Sequence, residues 1–152
     1  MPLADQLDAG FMLMDKELID ERPDVAEAWL AAELEAQKFL ADPANADEIV
    51  QIALDQTEGF SAKDLRDSLY RDWPVAQGGS SDGVKLWLPF ATDQRGVDLI
   101  DYATSFLHDI DAVPAAQLPE GAVQSGIAEK VLSDAGSPDG AGVVEGEKAT
   151  AN

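Results

Sequence analysis

The residues best equipped for chemistry in this chain are carboxylates. Asp20/Glu21 and Asp109/Asp111 stand as close pairs. General acid–base catalysis needs two such groups converging in a cleft with separated pKa values. The chain holds 30 acidic residues, so close pairs arise by chance and a solvated acidic face accounts for them. Asp134, Asp139, Glu145 and Glu147 lack the alternating spacing and the anchoring glutamate of a calcium loop. Cysteine is absent, which excludes disulfides, thiolate nucleophiles and zinc–thiolate sites. His108 is the single histidine, so a His-rich metal site is excluded, and any Ser–His–Asp arrangement would have to use it. Near the C-terminal end of a predicted helix, it is better placed as a cation in the favourable end of the helix dipole. Gly78-Gly79-Ser80-Ser81 has the composition of a phosphate-cradling loop, but no Lys-Ser/Thr follows directly, and it reads as a flexible connector. Trp73 and Trp87 flank this loop and are the ligand-binding candidates, since aromatic side chains commonly line clefts. Hydrophobic packing is the competing role for both. No catalytic residue, metal or cofactor is expected, and the chain is not expected to be an enzyme.

Composition narrows the partners. Thirty Asp and Glu against ten Lys and Arg give a formal net charge of −20. Phosphate contacts need a basic face, so nucleic acid is not an expected partner, and an anionic membrane surface is disfavoured for the same reason. No apolar run approaches the ~20 residues that span a bilayer, so no membrane insertion is expected. The scattered acids and scarce lysine suit a halophilic protein, whose self-repulsion is screened in high salt; a highly soluble acidic surface is the simpler alternative. Met1 to Gly10 carries two aspartates and no basic residue, so no secretion signal is expected there.

The elements that must position these residues are mostly helices. Gly10-Phe11-Met12-Leu13-Met14-Asp15 is a short apolar run and predicts one buried strand. A short helix is expected from Lys16 to Glu21, and a long one after Pro23, with proline in its first turn and Asp24 and Glu27 in the positive end of its dipole. Val25, Ala28, Trp29, Ala32, Ala36, Phe39 and Leu40 recur at helical spacing and predict its buried stripe, with Trp29 in the core. Asp42-Pro43 ends it. A further helix runs to about Gln56 with Ala46, Ile49, Val50 and Ala53 inward. Ser61 and Asp64 cap another, which would bury Leu65, Leu69 and Trp73 and close at Pro74. Val84 to Leu88 is a candidate strand limited by Pro89. Thr92 or Asp93 caps a long helix to about Asp109, whose broad apolar stripe predicts deep burial. A last helix covers Val123 to Leu132. Residues 1–9 read as a lead-in, 10–134 as a helix-rich domain, and 135–152, rich in glycine and without aromatics, as a disordered tail. A lone strand at Phe11–Met14 needs sheet partners, which this inventory does not supply.

The order Gly10 to Val25, with Glu21-Arg22-Pro23-Asp24 opening a helix, resembles a segment of the solute-binding proteins of ABC importers of the nitrate/sulfonate/taurine class. The likeness continues through Glu35 to Asn45, Leu88-Pro89-Phe90, Ser105-Phe106-Leu107 and Val113-Pro114, and spans about Gly10 to Leu132. The resemblance implies the C-terminal fragment of a two-lobed α/β periplasmic-binding-protein fold of type II, here mainly α with one or two short strands. It implies an extracytoplasmic protein that closes around a small anionic solute and presents it to an ABC permease. Most of the family's ligand residues would then lie outside this chain. A self-standing acidic helical protein-interaction module is the alternative.

Overall fold

The computed structural model describes residues 10–79 and 81–148. Its described part is helix-rich with one two-stranded antiparallel sheet. Six helices run in the order α1 (Lys16–Glu21), α2 (Pro23–Ala41), α3 (Ala46–Gln56), α4 (Ala62–Tyr70), α5 (Gln94–Asp109) and α6 (Gly126–Asp134). Strand β1 (Val84–Leu88) lies between α4 and α5, and β2 (Gly142–Glu145) follows α6. The expected lead-in, residues 1–9, lies outside the described residues.

Local chemistry sets most of these boundaries. Asp15 caps α1 by accepting from the Glu17 amide at 2.7 Å. Pro23 opens α2, where its missing N–H is no loss. Asp42 ends that helix, and its carboxylate accepts from Ala44 N at 2.9 Å to start a single 3-10 turn, Pro43–Asn45, that leads into α3. Ser61 and Asp64 form a reciprocal capping box on α4, and this hydrogen bonding from Ser61 holds the Asp64 carboxyl below the ordinary carboxylate range. Asp93 caps α5 through Gly96 N at 3.0 Å.

Two small apolar clusters hold the elements together. In one, Ala46 and Val50 of α3, Tyr70 of α4 and Val144 of β2 are buried, with Leu40, Leu65, Leu69 and Leu88 packed around them. In the other, Leu34 of α2 meets Val131 and Leu132 of α6 over Leu30, Phe90 and Ala141. Full burial of Leu34 contributes about 1.5–3 kcal/mol on its own. The sheet links the two clusters. Leu86 pairs with Val144, Trp87 with Val143 and Leu88 with Gly142, with a register irregularity between Val84 and Leu86. The approach to β2 passes close under β1. A Cβ on Gly140 would stand 2.4 Å from the Leu88 carbonyl oxygen, and its φ of +77° is one that only glycine adopts freely.

Five expectations are corrected. Phe11–Met14 is not a strand; it is irregular, and Leu13 is 89 % exposed. The strand that needs a partner is Val84–Leu88, and the chain supplies that partner itself. The expected disordered tail contains it: residues 135–148 turn back through Gly140 into β2, and Val144 is 1 % exposed. Gly-rich composition hid a four-residue strand whose two valines are enough once a neighbour exists.

Helix α2 is rotated relative to its expected stripe. Ala26 and Leu34 are buried, whereas Val25, Trp29 and Phe39 are exposed and Trp29 lies outside the core. Both stripes have helical spacing; the buried one is shorter and uses alanine, so the side-chain volumes on the other face dominated the pattern. Helix α5 is likewise exposed along most of its length, including Tyr102, Phe106 and Leu107, as is Ile110 at its C-cap. Finally, α4 ends at Tyr70 rather than at Pro74, because Arg71 leaves helical geometry to bridge with Glu147.

The rotation of α2 is testable with one substitution at two positions. Ala26→Leu should cost about 1–3 kcal/mol by overpacking, whereas Ala32→Leu, on the exposed face, should stay within about 0.5 kcal/mol. Urea unfolding of the two variants measures both, and the reverse order would restore the expected stripe.

Candidate functional site

Between α4 and β1, residues 71–73, 78–79 and 83–85 border a small pocket of about 170 Å³. Arg71, Asp72 and Trp73 form one wall, Gly78 and Gly79 the rim, Gly83, Val84 and Lys85 the opposite wall, and Gly146 closes the third side. Val75–Gln77 is a 3-10 turn that ends at Gly78 with φ +92°, which reverses the chain over Trp73. Gly79 is packed so tightly on the Trp73 main chain that any Cβ there would collide with it.

The wall carrying Trp73 is held from α4. The indole Nε1 donates to the Asp67 carbonyl at 3.3 Å. The Arg71 guanidinium lies over the indole ring, 4.1 Å from its centroid, and Nη1 donates to the Asp67 carboxylate at 3.2 Å. A stacked pair of this kind contributes about 0.5–1 kcal/mol near a surface. The Lys63 ammonium, hydrogen-bonded to Asp67, holds that carboxyl below the ordinary carboxylate range. Asp67 therefore remains an anion and keeps Arg71 fixed over the ring. On the opposite wall Lys85 has no carboxylate partner among the described residues. Asp72 is the one acidic residue lining the pocket, against two basic ones.

This arrangement matches the needs of a small oxyanion. Two basic residues, Arg71 and Lys85, line the same space, and charge-assisted hydrogen bonds are the strong ones. The volume corresponds to roughly five or six water molecules at about 30 Å³ each.

Of the two tryptophans singled out from sequence, the structure places only Trp73 in this pocket. Trp87 is half exposed on β1, and Arg95 covers its ring at 3.9 Å from the centroid. The two do not share a site. His108 bonds through Nδ1 with the Val113 carbonyl at 3.3 Å and ties the end of α5 to the following loop. Asp20 pairs with Lys16, and Asp109 and Asp111 are exposed. Among the described residues no group of His, Asp or Glu is arranged to hold a metal ion, and no helix is long and apolar enough to cross a membrane. Sequence reasoning missed Arg71 and Lys85. The available signal was their rarity: two of only ten basic residues flank the Gly-rich loop together with Trp73.

A second hollow, wider and shallower, lies between α2 and α6 over Ala28, Ala31, Leu34 and Val131. Asp24, Glu27, Glu35 and Asp134 rim it, and Lys130 bridges Glu27 and Asp134 at 2.9 and 2.8 Å. Its acidic rim repels anions.

The glycine packing gives a direct prediction. Gly79→Ala should force the loop off Trp73 and shift the Trp73 emission to the red, while Gly59→Ala, where φ is also positive but nothing lies within 4 Å, should leave it unchanged. No family model, curated protein or solved structure matches the chain.

Proposed function

We propose that this chain binds a small oxyanion, of nitrate, sulfonate or taurine type, in the pocket of Arg71, Trp73 and Lys85. In this reading it is part of the extracytoplasmic solute-binding component of an ABC importer, which closes around the anion and delivers it to the permease. The observation that carries it is the pocket itself: a chain of net charge −20 gathers two basic side chains around one small space. So acidic a protein repels free anions, and a site for one must therefore concentrate basic side chains locally. The sequence likeness from Gly10 to Leu132 supports the class of receptor. The exposed apolar faces of α2 and α5 support its being one part of a larger body that covers them.

The experiment is a titration of Trp73 emission in a Trp29→Phe/Trp87→Phe background, with taurine or nitrate added at constant ionic strength and chloride as the comparator. Saturable change with taurine or nitrate is expected. Arg71→Gln and Lys85→Gln should each weaken binding at least tenfold, in line with the ~1.5–3 kcal/mol of a hydrogen bond to a charged group. A linear response equal to that of chloride, or variants that bind like the parent, would overturn the reading.

A second reading rests on a separate observation. Val25, Trp29 and Phe39 on α2 and Tyr102, Phe106 and Leu107 on α5 are exposed apolar side chains on helices, as in modules that dock helix against helix. A self-standing interaction module predicts a monomer with one cooperative thermal transition. The partial receptor predicts concentration-dependent association through these faces, and sedimentation velocity separates the two.

A further inference from the structure

We infer that Arg66, which does not line the pocket, is a positioning residue for it: by gripping Glu147 it holds the segment after β2 as the pocket's third wall. The inference rests on the anion reading above and names what shapes that same site.

Gly146 lines the pocket, and the segment Gly146–Glu147 is tied to both sides of it. On one side Glu147 N donates to the Tyr70 carbonyl at 2.6 Å and Asp72 N donates to the Glu147 carbonyl at 2.9 Å, bracketing Arg71. On the other, Gly146 N donates to the Gly83 carbonyl at 2.7 Å, two residues before Lys85. Gly146 lies so close to Asp72 that a Cβ there would come within 2.8 Å of the Asp72 Cβ. The separation of the walls bearing Arg71 and Lys85 is therefore set by where this one segment sits.

Backbone bonds at a sheet margin fray when nothing anchors them. The anchor here is a two-point ion pair. Arg66 Nε donates to Glu147 Oε2 at 2.9 Å and Nη2 donates to Oε1 at 2.7 Å, while Nη1 pairs with Asp47 of α3. A guanidinium in this geometry fixes direction as well as distance. Both side chains are about 40 % exposed, so the pair adds little to global stability. Its effect is local: it fixes the register of Glu147 against Tyr70 and Asp72.

The test uses the full chain in the Trp29→Phe/Trp87→Phe background, with taurine as probe and amide hydrogen exchange as a second readout. Arg66→Gln and Glu147→Gln should each weaken taurine binding about tenfold. The double variant should be no weaker than either single one, since both remove the same bond. Arg66→Lys should restore part of the affinity, and Asp47→Asn, which removes the other partner of Arg66, should bind as the parent does. In Arg66→Gln the amides of Asp72, Gly146 and Glu147 should exchange faster while those of α2 keep their protection. Parental affinity in Arg66→Gln, or additive losses in the double variant, would overturn the positioning role. Unaltered exchange at Gly146 and Glu147 would overturn it as well. If the parent itself binds neither taurine nor nitrate, the pocket reading falls and the role falls with it, and the exchange data report separately whether Arg66 holds the segment.

Discussion

The fold depends on one pairing, that of Leu86 with Val144 across an antiparallel ladder. A two-stranded ribbon is marginal in water on its own. Here Val144 turns one side chain into the space between α3 and α4, where it meets Val50 and Tyr70. The ladder and the cluster support each other. Backbone bonds place the valine, and burial of the valine keeps the backbone bonds out of water. The same strand continues into Gly146 and Glu147, so the pocket inherits its shape from the pairing that closes the core. Structure and site are not separable in this chain, because one segment serves both.

Charge acts on a different scale. The acids outnumber the bases three to one, and the surface carries many isolated carboxylates. Most of the described bases are committed to ion pairs: Lys16 with Asp20, Arg22 with Asp24, Lys63 with Asp67, Lys130 with both Glu27 and Asp134. Such exposed pairs contribute little each. Their consequence is positional. Against that background, a pocket-lining base outside the ion pairs of the described residues is informative, and Lys85 is in that position. Arg71 shows the complementary case: it is held in place by Asp67 and by an aromatic face.

What could be read from the sequence was what neighbouring residues decide. Asp15, Asp42, Ser61 with Asp64, and Asp93 are caps whose partners lie two or three positions away, and the helices they begin are where the sequence places them. What could not be read depends on partners far along the chain. The periodicity of α2 offers two apolar faces, and only the position of α6 decides that Leu34 goes in and Trp29 stays out. Gly142 to Glu145 looks featureless until Val84–Leu88 lies beside it. Phe11 to Met14 has the composition of a strand but no ladder to join. The site was half legible for the same reason: Trp73 stood out as a type, whereas Arg71 and Lys85 acquire meaning only when the fold places both along one pocket.

The late position of β2 in the sequence has a consequence for how the protein comes into being. Val144 emerges from the ribosome long after Leu86, its partner, and after all of α3 and α4. Until it does, Tyr70 and Val50 lack the side chain that covers them, and the edge of β1 stays open. Contacts so distant along the chain are slow to form because the loop must close before they reward it. The nascent polypeptide thus passes through a stage with its helices made and its centre unsealed, the stage at which a holdase chaperone has most to grip.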